Sequence, residues 1–424
     1  MPVRKTALSA VASVVLGVGF TSVTVNAADL GGDCCADLEE RVAELEATVA
    51  RKGNRKVSLT ISGYIAKQVM FWDDGAEQNA YVTDMGPTQA SNIRFSGEVT
   101  IAAGWKAGYL MRIQDLDSNP MALSQTAPSA GTGLNVQMSY WYIASDTLGK
   151  ISVGKNAMAA KSAAMFTDLS GTQVIANYVL FDGNAFFLRQ NGQLSNLRWG
   201  DFGYCYSQQR PWGGDCDGIV MSGVRYDSPV FGGFSVSASW AEDDDWEIAG
   251  RYTGTAAGFK MAFGIGYSVN SDEQTQPPPV SFRKQSEFFQ LGGYLQHLAS
   301  GVFAHGIYGA ENNNSETTFA GFTEPDTHQW YLKAGVRRQW LKQGHSVVFA
   351  EYGQYFDQLS PAALLAGTTS SEFTRWGFGV VQEIDAASMS LWVKYRQQSV
   401  DIDGGNLGDI EDFRYVSTGA IINF

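Results

Sequence analysis

The side chains best suited to catalysis or metal binding are few in this chain, and they are scattered. The 424 residues include only four histidines, His297, His305, His328 and His345. Their spacing is not that of metal ligands, and none has an obvious nucleophile beside it. The residues therefore predict no metal, no cofactor and no catalytic site.

The four cysteines are typical of an oxidising compartment. Cys205 and Cys216 flank the segment YSQQRPWGGD and would close it as a disulfide, which adds about 2–3 kcal/mol in the chain-entropy model. Cys34 and Cys35 are adjacent, so a bond between them is awkward. Two alternatives stay open for this second pair: bonds between chains, or two separate thiols.

The composition indicates a large β protein. A content of 44% hydrophobic and 12% aromatic residues excludes a disordered chain. Asp and Glu exceed Lys and Arg by 43 to 30, and the net charge of −13 argues against binding to nucleic acid. The 47 glycines and the mean hydropathy of −0.14 do not suggest membrane helices, but they allow a membrane β-barrel.

The N-terminus has the pattern of a secretory signal peptide. Arg4 and Lys5 precede an uncharged, largely apolar run over 7–20, and Val25-Asn26-Ala27 supplies the small residues of a cleavage site. We therefore expect residues 1–27 to be removed on export. No later segment reaches the roughly 18 apolar residues of a membrane helix, so any bilayer crossing is made by strands.

From Val57 to the end, apolar and polar residues alternate with a period of two. The segment FSVSASWA over 234–241 is typical, with one oily face and one polar face. Short turns alternate with long polar loops, as in outer-membrane barrels. We predict a transmembrane antiparallel β-barrel of sixteen strands over 57–424. An extra hairpin near 185–189 and 197–202 would make eighteen, and either number encloses an aqueous channel.

A short amphipathic helix is predicted in the segment that precedes the barrel, residues 28–56. Over 34–52 apolar residues recur at spacings of three and four, and glutamates occupy the other faces. About 2.5 heptads are too few for a stable lone helix. We expect a periplasmic coiled coil attached to an oligomer, with a solvated linker as the alternative. The seam consists of Cys35, Leu38, Val42, Leu45 and Val49.

The chain also resembles a known family. Its last strand, VSTGAIINF, ends on Phe424 and looks like the assembly signal of bacterial outer-membrane proteins. Together with the leader, LEERVAELEA, LGKISVGK and VRYDSPVFGGFSVSASWAEDD, it resembles the alphaproteobacterial general diffusion porins over essentially the whole mature chain. The resemblance implies a homotrimer in the outer membrane of a Gram-negative bacterium, in contact with lipid and lipopolysaccharide, inserted by the barrel-assembly machinery, and passing small hydrophilic solutes and ions.

The resemblance further implies that the third extracellular loop, at about 157–217, folds into the lumen and narrows it. This loop carries Asp168 and Asp182, with Lys161 and Arg189 also in it. Its acids would face arginines on the polar side of the strands, where opposed charges orient a solute. Each arginine has an alternative role, that of pairing with a lumen carboxylate such as Glu98 or Asp227. The candidates are Arg94, Arg112, Arg225, Arg251 and Arg396.

Passive diffusion with a mild cation preference, from the excess of acid, is the function expected from the sequence. A substrate-selective channel, for example for sugars, is an alternative if Trp392, Tyr331 and Tyr294 form a stacking track rather than fill space. An outer-membrane enzyme or an adhesin is less favoured. The predicted mature terminus, Ala28-Asp29, also resembles termini that are joined to peptidoglycan.

Overall fold

A computed structural model describes residues 57–216, 220–271, 273–275, 281–283, 285–314, 323–405 and 407–424. The signal peptide, the segment 28–56 with its coiled-coil seam, the Cys34–Cys35 pair and the terminus expected to reach peptidoglycan lie outside the described residues. Those expectations therefore stay predictions.

Sixteen antiparallel strands form the wall of a closed barrel, which confirms the predicted fold. Each strand follows from the period-two alternation, which places one set of side chains outside and the other inside. The strands are β1 (Thr60–Asp73), β2 (Asn92–Ala102), β3 (Trp105–Leu116), β4 (Gly133–Ser145), β5 (Gly149–Ala157), β6 (Val220–Asp227), β7 (Phe234–Ala241), β8 (Asp245–Ala256), β9 (Phe259–Asn270), β10 (Ser286–His297), β11 (Val302–Asn313), β12 (Thr327–Leu341), β13 (Gly344–Phe356), β14 (Thr368–Ile384), β15 (Met389–Gly404) and β16 (Phe413–Asn423).

The barrel closes where the first strand meets the last. β1 pairs with β16 from Tyr64↔Asn423 to Asp73↔Arg414. Beyond the last strand, Phe424 N donates to Gly63 O at 3.1 Å. The other edge of β1 pairs first with β2 and then with a short strand, Gln78–Thr83. Closure satisfies the backbone groups that an open sheet edge would leave exposed to lipid.

The connections differ in length at the two ends of the barrel. Turns such as 103–104, 257–258 and 342–343 lie at one end, and most of the connections at the other end are long. In the longest loop, 158–219, a hairpin of Phe187–Gln190 and Gln193–Arg198 pairs with Ile410–Glu411 rather than with the wall. The eighteen-strand alternative is therefore wrong, although it located the hairpin nearly correctly.

The remaining elements are short. One α-helix, Pro361–Leu365, is capped by the Ser360 side chain, and a two-stranded ribbon joins Glu273–Thr275 to Ser281–Arg283. In the described part of the chain no helix has the length and apolar character needed to cross a membrane. Single-turn 3-10 helices cover Met165–Thr167, Trp199–Phe202, Glu242–Asp244 and Asp385–Ala387.

Candidate functional site

The long loop between β5 and β6, described over 158–216, folds into the barrel and follows its inner wall. At its start, side chains of the wall accept hydrogen bonds from its backbone. Ala160 N donates to Glu247 Oε2 and Ala164 N donates to Gln290 Oε1, both at 2.6 Å. The inward-facing side chains of β8 and β10 therefore bind the loop backbone instead of water in the lumen.

Two glycines of the wall let the loop approach closely. A Cβ atom added to Gly264 would collide with the carbonyl of Ala163, and one added to Gly292 would collide with that of Ala164. Because only glycine leaves this space empty, part of the high glycine content serves to receive the loop.

Asp168 fastens the middle of the loop to β12. Its carboxylate lies 2.5 Å from Lys333 Nζ, which also donates to Thr172 Oγ1 at 2.8 Å and to Ala176 O at 2.7 Å. Burial alone would raise the pKa of the Asp168 carboxyl, but Lys333, with smaller help from His305 and Ser170, holds the pKa below its usual value. The pair is charged and hidden from the lumen.

Asp182 makes a second anchor on β15 and β16. It accepts from Lys394 Nζ at 2.9 Å, from Tyr415 Oη at 3.0 Å and from Gln68 Nε2 at 3.1 Å. Arg396 Nη1 lies 3.5 Å away. Burial opposes ionisation, yet the two nearby cations lower the pKa of Asp182 below its usual value. Both expected pore acids therefore act as buried anchors.

An apolar cluster fills the outer mouth of the barrel on the same side as these anchors. Phe186 packs against Trp72 with ring centroids 5.0 Å apart, and Trp199 packs against Phe373 at 5.8 Å. The cluster blocks that side, since buried rings leave no room for water.

Two neighbouring cavities, of about 420 and 310 Å³, lie between the loop and strands β1–β8, and they share lining residues on the loop and on β6. Six cations and one carboxylate line them together. The cations are Arg94, Arg112, Lys150, Lys161, Arg225 and Arg251, and the carboxylate is Asp227. We call this space the cationic passage.

The arginines of the cationic passage differ in what holds them. Arg225 Nη2 pairs with Asp227 at 2.7 Å, so the alternative of pairing with a lumen carboxylate applies to this residue. Arg251 Nη2 donates to the carbonyl of Ala159 on the loop at 2.6 Å. Their guanidinium groups position the loop as well as line the passage.

Arg94 and Arg112 carry charge that no described carboxylate offsets. Arg112 Nη2 donates to Thr88 O at 3.2 Å and to Tyr64 Oη at 3.4 Å, both neutral groups. The buried Nε atoms of both arginines have no hydrogen-bond acceptor among the described residues. The wall beside β2 and β3 therefore contributes two positive charges to the passage that no described carboxylate pairs with.

Three other sequence candidates have different surroundings. Arg396 is buried beneath the loop, where its Nε lies 2.5 Å from Glu351 Oε1. Arg189 lies in the hairpin outside the passage and pairs with Asp74 at 2.8 Å, which ties the hairpin to the first long loop. Lys161 lines both cavities.

Sequence reasoning missed three lysines that matter here: Lys150 in the passage, and Lys333 and Lys394 under the loop. All three occupy inward positions of their strands, so the alternation that selected the arginines would have selected them too. Glu98, named as a lumen carboxylate, pairs instead with Lys106 at 2.8 Å, away from the passage.

The proposed stacking track of aromatic residues is absent from the passage. Trp392, Tyr331 and Tyr294 are each at most 2% exposed and pack within the apolar clusters under the loop. These residues fill space, so they do not support a sugar-selective channel.

The disulfide prediction is confirmed, since Cys205 and Cys216 are bonded. Beside the bond, the Glu311 carboxylate of β11 accepts from Tyr206 N at 3.0 Å and from Ser207 N at 2.6 Å. The end of the long loop is thus closed on itself and held to the wall. Within the described ranges, no three His, Cys, Asp or Glu side chains converge as metal ligands.

Comparison with known proteins agrees with this geometry. A family model described as Gram-negative porin matches residues 7–405. No curated protein sequence matches the chain.

Solved structures share the fold at low sequence identity. The anion-selective porin from Comamonas acidovorans is 15% identical with a TM-score of 0.56, over 87% of this chain and 100% of that one. The outer membrane channel DcaP of Acinetobacter baumannii is 10% identical with a TM-score of 0.54, over 89% and 100%. OmpF of Salmonella typhi, solved with daunomycin, is 13% identical with a TM-score of 0.51, over 88% and 99%.

Proposed function

The chain belongs to the Gram-negative porin family and is an outer-membrane channel for passive diffusion, and we propose that this channel prefers anions. The observation that supports the proposal is the lining of the cationic passage, six cations with one carboxylate. The expected cation preference rested on the net charge of −13. Charges more than about 8–10 Å from a permeating ion are largely screened, so the local lining outweighs the total.

Selectivity of this kind needs no catalysis. Hydrogen bonds and charge from the arginines replace part of the hydration energy that a chloride ion or a small organic anion loses in the passage. The same positive charges repel a cation. The buried loop narrows the passage and so limits solute size. We place the chain among general diffusion channels of the alphaproteobacterial type on the strength of the sequence motifs.

Reversal potential in planar bilayers tests the anion preference. With a tenfold KCl gradient across the membrane, we expect the zero-current potential to lie on the chloride side of zero. The preference should weaken as salt is raised, because screening shortens the reach of the arginines. A potential on the potassium side would refute the proposal.

We also propose that the channel is a homotrimer, with the outer face of β1–β3 in the subunit contact and the remaining outer wall facing lipid and lipopolysaccharide. Lys67 alternates with the inward Ala66 and Gln68, so it lies on the outer face, where it pairs with Asp84 and, at 3.1 Å, with Asp115. Charged side chains in mid-strand are costly against lipid, and a subunit contact would cover them.

Electrophoresis without heating tests the trimer. We expect a band of three subunits that dissociates at a lower temperature in the Lys67→Met variant, because this leaves Asp84 and Asp115 without their cation. A monomer in mild detergent would contradict the proposal.

Phe424 lies at the barrel seam, and we propose that the assembly machinery recognises it. Removal of Phe424 should therefore slow insertion of the barrel into the membrane.

A further inference from the structure

Among the apolar side chains that line the cationic passage, Phe166 is an aromatic ring carried by the long loop, and it lines both cavities. Phe166 lies on the 3-10 helix Met165–Thr167 of the long loop, and the residue is 53% exposed. Its neighbours Met165 and Thr167 are each only 3% exposed. An exposed ring gains nothing from contact with water, so a solute that packs on Phe166 removes apolar surface from water.

The backbone around Phe166 is held firmly, so the ring has a defined place. Thr167 Oγ1 lies 2.9 Å from His305 Nε2 and donates to Ala164 O at 2.7 Å. Phe166 N donates to Ser162 O at 2.9 Å. The ring is therefore presented to the lumen by a fixed turn rather than by a free loop tip.

The ring faces the passage at the junction of its two parts. Lys161, Phe166, Arg225 and Asp227 line both cavities, so a solute that moves from one cavity to the other passes all four. Arg94 lines the larger cavity with the same ring, and the buried Nε of its guanidinium has no hydrogen-bond partner among the described residues. The passage therefore combines an available cation with an available aromatic face.

We infer that the cationic passage favours anions that join a carboxylate to a flat aromatic group over equally charged anions without one. The inference rests on the proposed anion preference and adds a substrate class to it. The carboxylate matches the planar donors of Arg94, and the ring of the solute packs on Phe166. A cavity of about 420 Å³ lies within the range that holds small-molecule ligands.

The expected size of the preference follows from aromatic pairing. A favourable pair adds enough to give about a threefold to tenfold difference in apparent affinity, beyond the effect of the shared charge. Such weak retention suits a channel, because tight binding would stop release.

Block of the chloride current measures this preference. Potassium benzoate, cyclohexanecarboxylate and acetate are titrated against single channels in planar bilayers. We expect half-block by benzoate at a concentration about three to ten times lower than by acetate, with cyclohexanecarboxylate between them. In Phe166→Ala the benzoate value should approach the acetate value, and in Phe166→Leu it should approach the cyclohexanecarboxylate value.

Phe231→Ala is the matched control, because Phe231 is an exposed phenylalanine in the turn 228–233, outside both cavities. It should leave benzoate block unchanged. A benzoate advantage that persists in Phe166→Ala, or equal block by benzoate and acetate in the unaltered channel, would overturn this inference while leaving chloride preference intact. A potassium-side reversal potential would instead overturn the proposed function.

Discussion

Removal of the two uncompensated arginines is the most direct perturbation of the cationic passage. Arg94→Gln with Arg112→Gln leaves a shorter side chain whose amide can still form hydrogen bonds, and it removes two charges. Neither residue forms an ion pair with a described carboxylate, so no acid is left unpaired by the change. The loop should stay in place, because the side chains that anchor it, including Gln290, Lys333 and Lys394, are unchanged.

The magnitude follows from Coulomb's law. One charge at about 8 Å from a permeating ion contributes about 0.5 kcal/mol in water, and screening at 0.1 M salt roughly halves it. Two such charges therefore stabilise a permeating anion by about 0.5 kcal/mol and destabilise a permeating cation by about the same amount. The difference of about 1 kcal/mol corresponds to an anion-to-cation permeability ratio lowered about fivefold.

Reversal potential in a KCl gradient measures this ratio, with single-channel conductance as a check on pore size. The matched control is Lys106→Gln with Arg414→Gln, which removes two charges outside both cavities. The control should change the ratio less than about twofold, given screening. An equal change in both double variants would refute the reasoning that the local lining sets selectivity.

Three further predictions concern the loop. Asp168→Asn leaves the Lys333 ammonium buried without its carboxylate, which costs loop docking about 3–5 kcal/mol. Single-channel current noise should therefore rise in this variant. The double variant Asp168→Leu with Lys333→Met leaves no unpaired charge, so its current should be less noisy than that of Asp168→Asn. The docked loop lowers the pKa values of Asp168 and Asp182, so the ionised carboxylates stabilise docking. This contribution is complete above about pH 4 and is lost as the pH falls further. Single-channel conductance should therefore be constant from pH 8 to 5 and become unstable below about pH 4. Replacing Cys205 and Cys216 by Ser should lower thermal stability by about 2–3 kcal/mol, seen by heat-induced unfolding, with unchanged conductance because neither residue lines the passage.

Most of the wall was predictable because its signals are local. The alternation in 234–241 predicts which side chains share a face of the strand, and the short turns predict where a strand ends. Neither prediction requires the neighbouring strand to be known. The same alternation of inward and outward positions identified four arginines that line the cationic passage: Arg94, Arg112, Arg225 and Arg251.

The hairpin 187–198 shows where local signals stop. Its sequence predicts two short strands whether they join the wall or lie in a loop, and only their pairing with Ile410–Glu411 decides between sixteen and eighteen. Pairing partners far apart in sequence are a property of the tertiary structure, since strand propensity depends on context.

By itself, the sequence determined a closed barrel of alternating strands, the long loop, the disulfide pair and the charged residues that face inward. The tertiary structure alone decided which of those charges meet water. Asp168 and Asp182 are neutralised by Lys333 and Lys394 under the loop, and Arg94 stays open to the passage. The physical reason is that a net charge of −13 is a sum over the chain, whereas an ion responds to charges within about a Debye length.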